Sequence, residues 1–186
     1  MIHEFVAWPK INRLHKMMCC ITEKLDGTNA CIYIPEGGSV VLAGSRSRWI
    51  TPEDDNYGFA RWVQTNKDEL ASTLGPGRHY GEWWGNGIQR RYGLDRKVFT
   101  LFNALRWKDT LPRAAHQVKE GSLLGHVNIL YTGPYDPAVV KDISDDMRQQ
   151  GSVSVPGWGN PEGLVVLLDK VAYKVILNGD EDKRAG

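Results

Sequence analysis

The stretch Glu23-Lys24-Leu25-Asp26-Gly27-Thr28-Asn29 sets a lysine and an aspartate two residues apart, which in an extended strand puts both heads on one face. Gly27 then lets the chain bend around a ligand. An amine becomes a nucleophile when desolvation or neighbouring cations free its lone pair, so Lys24 is the candidate nucleophile. The plain alternative is a surface strand end with a Lys/Asp pair, followed by an ordinary turn.

Ser45-Arg46-Ser47-Arg48 places two arginines on the same side of an extended chain, and guanidinium forks suit ribose or phosphate oxygens. Gln89-Arg90-Arg91-Tyr92 is the most concentrated basic patch with an adjacent aromatic, the composition of a loop that tracks phosphates. A solvated arginine pair and a solvated loop are the corresponding bland readings. None of the five histidines forms a His-x-x-x-His or Cys/His spacing, so no structural zinc site is expected.

Lys24-x-Asp26-Gly27 resembles the adenylation motif of the covalent nucleotidyltransferases, the superfamily of polynucleotide ligases and messenger-RNA capping enzymes. The seven residues together are most similar to the RNA ligases that seal nicks in duplexes. Further segments follow in the family's order, so the resemblance runs from about residue 20 to about residue 176.

The resemblance implies that Lys24 attacks the α-phosphate of ATP to give a lysyl-AMP phosphoramidate, with Asp26 positioning it or holding water around a metal ion. It puts Glu23 on the adenine amino group, Asn29 on the nucleotide, Arg46 in the nucleotide site and Arg48 on a phosphate of the nucleic acid; Arg90 and Arg91 are expected nucleic-acid contacts from their basic loop alone. Glu82, within Tyr80-Gly81-Glu82-Trp83-Trp84-Gly85, takes the place of the glutamate that binds the ribose hydroxyls, and Gly81 there allows close approach of the sugar. Phe102 would stack on adenine, although Asn103 stands where many members carry an acid. Glu162, in Pro161-Glu162-Gly163, matches the late carboxylate associated with the catalytic metal, Mg²⁺ or Mn²⁺. Lys174 is the phosphate contact, but Ile176 stands where a second lysine is usual. Lys170 is a possible substitute, about 13 Å of strand away from Lys174.

These segments imply an ATP-dependent RNA ligase that adenylates a nucleic-acid 5′-phosphate and joins it to a 3′-hydroxyl, with RNA favoured over DNA. A DNA nick ligase is the nearest alternative, and a nucleotide- or RNA-binding remnant with incomplete turnover is the other. Glu23 and Thr28-Asn29 set the chain apart from capping guanylyltransferases. Only 12 residues follow Lys174, too few for an appended OB-fold domain, so 1–186 reads as a single nucleotidyltransferase domain with its motifs in about 20–176.

The composition is that of an ordinary globular chain. With 23 basic and 22 acidic residues the formal charge is +1, which excludes a uniformly basic nucleic-acid coat but leaves room for a local basic groove. Three cysteines, two of them adjacent, cannot build a disulfide framework and suggest a reducing, cytoplasmic setting. The longest strongly apolar run, Leu164 to Leu168, is too short to span a bilayer.

The elements that must hold these residues read as α+β with a mostly antiparallel sheet, and the resemblance makes this an ATP-grasp-like adenylation domain around a nucleotide pocket. A hairpin is expected through Ala30–Ile34 and Val40–Ala43. A helix follows Pro52-Glu53-Asp54-Asp55 and ends before Gly75. Strands are expected at 79–84, 98–105, 123–131, 164–168 and 171–176, and helices at 112–119 and 137–150. Residues 151–161 read as a flexible Gly/Ser/Pro-rich loop, and the polar tail 178–186 as frayed.

Overall fold

The computed structural model describes residues 4–11, 13, 17–38 and 40–177; the tail expected to fray lies outside them, as do His3 and His15. Two sheets make up an α+β fold. The smaller has four antiparallel strands in the order β10 (Val171–Ile176), β9 (Gly163–Leu168), β1 (Met18–Lys24), β8 (Ile129–Pro134). The larger has six, in the order β4 (Trp49–Ile50), β3 (Leu42–Gly44), β2 (Thr28–Ile34), β5 (Gly77–Gly85), β6 (Lys97–Leu101), β7 (Leu124–His126). Its last pair, β6 and β7, is parallel.

β1 belongs to one sheet and β2 to the other, so residues 25–27 are the crossing point between them. That crossing carries the Lys-x-Asp-Gly segment. Leu25 is buried there beside Trp84, Tyr92, Val98 and Val127 in a small core of its own. Gly27 is required because a Cβ at that position would run into the Trp83 carbonyl and lie 2.6 Å from the Trp84 Cβ. The glycine therefore serves a close approach between backbones.

The expected helix after Pro52 starts later and is broken in two. Residues 52–54 form bends, α1 spans Phe59–Thr65 and α2 spans Lys67–Leu74. The Asp55 carboxylate caps α1, accepting from Ala60 N at 2.7 Å and Arg61 N at 3.1 Å. At the break, Asn66 Nδ2 donates to the Trp62 carbonyl at 2.7 Å, the local side-chain bonding that makes asparagine interrupt helices. Phe59, Val63 and Leu70 pack with Ile32, Trp83 and Phe99 to form the main core.

The expected strand 98–105 stops at Leu101, and Leu105 lies in α3 (Ala104–Trp107), whose N-terminus is capped by Asn103 accepting from Arg106 N at 3.3 Å. The residue that departs from the family pattern thus has a structural use. α4 (Ala114–Glu120) matches the expected helix at 112–119, and α5 (Pro137–Gln150) coincides with its expectation, with Asp136 as N-cap. α5 packs Val139, Val140, Ile143 and Met147 onto Ile21, Leu164 and Val166 of the small sheet. The single strand expected over 123–131 is two strands, β7 and β8, in different sheets. Between them the Val127 amide donates to Leu101 and the Asn128 carbonyl accepts from Glu23, so the chain changes partner strand there.

Candidate active site

Lys24 ends β1 opposite Gly163, the first residue of β9. This register delivers the preceding residue, Glu162, to the lysine: Nζ and Oε2 are 2.6 Å apart, with both side chains mostly shielded from solvent. Burial pushes the Glu162 carboxyl above the usual range, and Lys24 pulls it partly back. Asp26, two residues on, pairs with Arg90 Nε at 2.9 Å, and its own amide donates to the buried Tyr92 hydroxyl at 2.9 Å.

Glu82 faces the same turn from β5. Its Oε1 accepts from Gly27 N at 2.9 Å and its Oε2 from Asn29 Nδ2 at 3.3 Å. Burial raises its pKa to about 7, an effect that Lys24 and the Gly27 hydrogen bond offset in part and that Glu162 and Asp26 reinforce. Lys24, Asp26, Asn29, Glu82 and Glu162 therefore form one constellation at the seam of the two sheets. Gly81 does not leave room for a sugar; a Cβ there would meet the Thr100 carbonyl and the Phe99 ring, so this glycine serves strand packing.

Beside the constellation, Asn29, Ala30, Ser45, Arg46, Tyr80 and Phe102 line an open concavity of about 290 Å³. Phe102 is held by its amide donating to the Tyr80 carbonyl, and its ring is partly exposed as a stacking platform requires. Arg46 and Phe102 thus line the same concavity, a cation and an exposed ring together.

Three expectations are corrected by the geometry. Glu23 is fully buried and turned away from the concavity, its carboxylate accepting from Ser152 Oγ (2.6 Å), Ser154 N (2.7 Å) and Ser154 Oγ (2.6 Å). Strand alternation puts it on the face opposite Lys24. Arg90 does not lie open to phosphates, because it bonds Asp26 and donates to Asn160 Oδ1 at 2.9 Å, whereas Arg91 is exposed beside it. Arg48, by contrast, stays exposed as expected, in a two-pronged pair with the exposed Asp54 at 2.5 and 2.9 Å. Lys170 sits in the turn between β9 and β10, not on the strand with Lys174.

The loop 151–161 is not slack but pinned at both ends. Ser152 and Ser154 hold Glu23, and Asn160 holds Arg90, so one loop fixes the residues flanking Lys24. Ser152, Ser154 and Tyr92 had no sequence signal, since serines between glycine and proline read as linker and the tyrosine read as part of an exposed basic patch.

Lys174 is exposed on β10 opposite Val165, and Ile176 pairs with Gly163. The registers put Lys24, Gly163 and Ile176 in one lateral row, with Thr22, Val165 and Lys174 in the row that follows on the same face. Among the described residues no group of three or more His, Cys, Asp or Glu side chains forms a metal cage.

The sequence profile of the RNA ligase family matches residues 18–176. The chain belongs to the RNA ligase family. Among solved structures, a Naegleria gruberi RNA ligase variant without ligand is similar with a TM-score of 0.61 and 20% identity, over 88% of this chain and 50% of that one. A variant of the same ligase with AMP and Mn gives the same values. One with ATP and Mn has a TM-score of 0.58 at 20% identity, over 88% of this chain and 51% of that one. The chain thus spans about half the length of these ligases. No curated protein matches at significance. Among the described residues no helix is long and apolar enough to cross a membrane.

Proposed function

We propose that this member of the RNA ligase family is an ATP-dependent RNA-end ligase that works through a covalent Lys24–AMP intermediate. The observation that carries the reading is the 2.6 Å contact between Lys24 Nζ and Glu162 Oε2 inside a ring of carboxylates at the sheet seam. Burial raises the proton affinity of the Glu162 carboxylate, so it is suited to take a proton from the ammonium. The freed amine then forms a bond to the ATP α-phosphorus as the bond to the pyrophosphate oxygen breaks.

Arg46 and Phe102 hold phosphate and base in the concavity, Asn29 orders the nucleotide, and ionised Glu82 accepts from the ribose hydroxyls. Asp26, anchored by Arg90 and Tyr92, keeps the turn after Lys24 in place. A nucleic-acid 5′-phosphate oxygen next displaces Lys24 from AMP, and a 3′-hydroxyl finally displaces AMP from the activated end. Lys174 offsets phosphate charge from β10. A hard cation, Mg²⁺ or Mn²⁺, would draw most of its ligands from the nucleotide phosphates with Glu162 as a protein ligand, the mode in which one or two carboxylates suffice; bound there, it would neutralise charge on the departing pyrophosphate. RNA is favoured over DNA as the partner, and the three buried free cysteines suit a reducing, cytoplasmic setting.

The test is incubation with Mg²⁺ and α-labelled ATP, then denaturing electrophoresis and peptide mapping. A covalent label on Lys24 supports the reading. Wild-type protein that binds ATP yet never acquires the label favours a binding remnant instead.

A further inference from the structure

One lateral row of the six-stranded sheet reads Trp49, Gly44, Cys31, Tyr80, with Phe102 hydrogen-bonded to Tyr80 beyond it. Cross-strand partners share a face, so two exposed aromatic side chains stand on either side of two small residues. Three strand spacings separate the Trp49 and Tyr80 backbones, about 14 Å. The result is an open trough of about 330 Å³ with Gly44 and Cys31 in its floor. It shares Ser45, Arg46 and Tyr80 with the concavity of the candidate active site, so the two are continuous.

The charged side chains that line this trough are all arginine: Arg46, Arg48 and Arg78. Asp54 offsets Arg48 from outside the trough. Arg78 lies over the Tyr33 ring at 4.4 Å and the Trp49 ring at 5.3 Å, which fixes both the guanidinium and the indole before any ligand arrives. Half-exposed aromatic walls with an arginine rim are complementary to a polynucleotide, because a base stacks on the rings while phosphates meet the cations.

We propose that this trough binds one nucleotide of the nucleic-acid strand next to the site where the end is activated, with its base against Trp49 and Tyr80 and its phosphate on Arg78. The trough follows from surface chemistry, and only its alignment with a reacting end rests on the ligase reading.

Trp49 and Arg78 take no part in the proposed ATP chemistry, so they separate the two ideas. The probe is a 5′-phosphorylated RNA, its binding followed by fluorescence anisotropy over a range of salt concentrations, with Lys24 labelling by ATP measured in parallel. Trp49→Ala should weaken RNA binding about fivefold or more, and Trp49→Phe should retain most of the affinity. Arg78→Gln should lower the slope of log affinity against log salt by about 0.7, the value for one phosphate of a single strand. ATP labelling should stay at the wild-type rate in all three. Unchanged RNA affinity and salt slope in Trp49→Ala and Arg78→Gln would overturn the trough, as would an equal fall in ATP labelling. Displacement of the RNA by free AMP that disappears in Trp49→Ala would assign the trough to a mononucleotide and overturn the strand. Trp49-dependent RNA binding by a wild-type protein that never labels with ATP sinks the ligase reading and leaves the trough standing.

Discussion

Lys24, the last residue of β1, and Glu162, just before β9, meet at 2.6 Å because Lys24 pairs with Gly163, the residue after the glutamate. A one-residue slip of β9 on β1 would carry the carboxylate to the other face. In the proposed reaction the register of the small sheet is therefore part of the chemistry.

Lys24→Ala should abolish covalent labelling by ATP while leaving the fold intact, since the side chain is partly exposed at a strand end. Glu162→Gln keeps the shape but can neither pair with the ammonium nor take its proton, and should slow labelling by about 100-fold or more. Circular dichroism establishes folding and a single-turnover labelling assay gives the rate. Wild-type rates in Glu162→Gln would remove Glu162 from the adenylation step.

Glu82 has a pKa raised to about 7 from an ordinary value of 4.5. A group raised on folding contributes stability that is fully present below its unfolded value and is lost as pH rises through the folded one. Relative to Glu82→Gln, the wild type should lose stability progressively between about pH 4.5 and pH 7, by roughly 3 kcal/mol in all. Denaturant melts of both proteins across that range give the difference. Labelling should show the opposite trend, rising toward pH 7 as Glu82 ionises to accept from the ribose. Parallel stability profiles for the two proteins would contradict this environment for Glu82.

Glu23 is expected to act on the loop and not on the base. Glu23→Ala leaves the Ser152 and Ser154 donors buried without their acceptor and should destabilise the protein by about 2–3 kcal/mol, with increased protease sensitivity in 151–161. The preference for ATP over GTP in the labelling assay should persist. A folded, equally stable variant that accepts GTP would return Glu23 to adenine recognition.

The sequence carried the periodic elements well, because α5 has its Asp136 cap and a repeating apolar face, and β9 and β10 are apolar runs around a two-residue turn. It could not show that Val127 and Asn128 switch sheets, since that depends on hydrogen bonds to Leu101 and Glu23 far away in the chain. The same limit hid the contact between Glu23 and the serines, which spans some 130 positions. Arg90 looked like a free phosphate contact because its partners, Asp26 and Asn160, are likewise remote. The ordered segments did carry Lys24, Asp26, Glu82 and Glu162, whose meeting point is the seam between β1 and β2.

Ile176 gives the last test. It lies in the same lateral row as Lys24, with only Gly163 between them, so two strand spacings, about 10 Å, separate the two backbones. No side chain on Gly163 intervenes, and a Cβ there would strike the Val175 carbonyl. A lysine at 176 is long enough to bring its ammonium over the glycine toward a phosphate held at Lys24. Ile176 is partly exposed and takes no part in the core that holds Val175, so the new charge stays hydrated and the substitution should leave stability within about 0.5 kcal/mol. Ile176→Lys should then accelerate Lys24 labelling about tenfold at saturating Mg²⁺–ATP, because a placed cation stabilises the charge that develops as pyrophosphate leaves. Lys174 lies in the following row, so Lys174→Ala should slow labelling in the wild type and slow it less once residue 176 supplies a second ammonium. Single-turnover rates for the two variants and their double mutant decide the matter. Rates that multiply independently would mean that positions 174 and 176 do not serve the same phosphate.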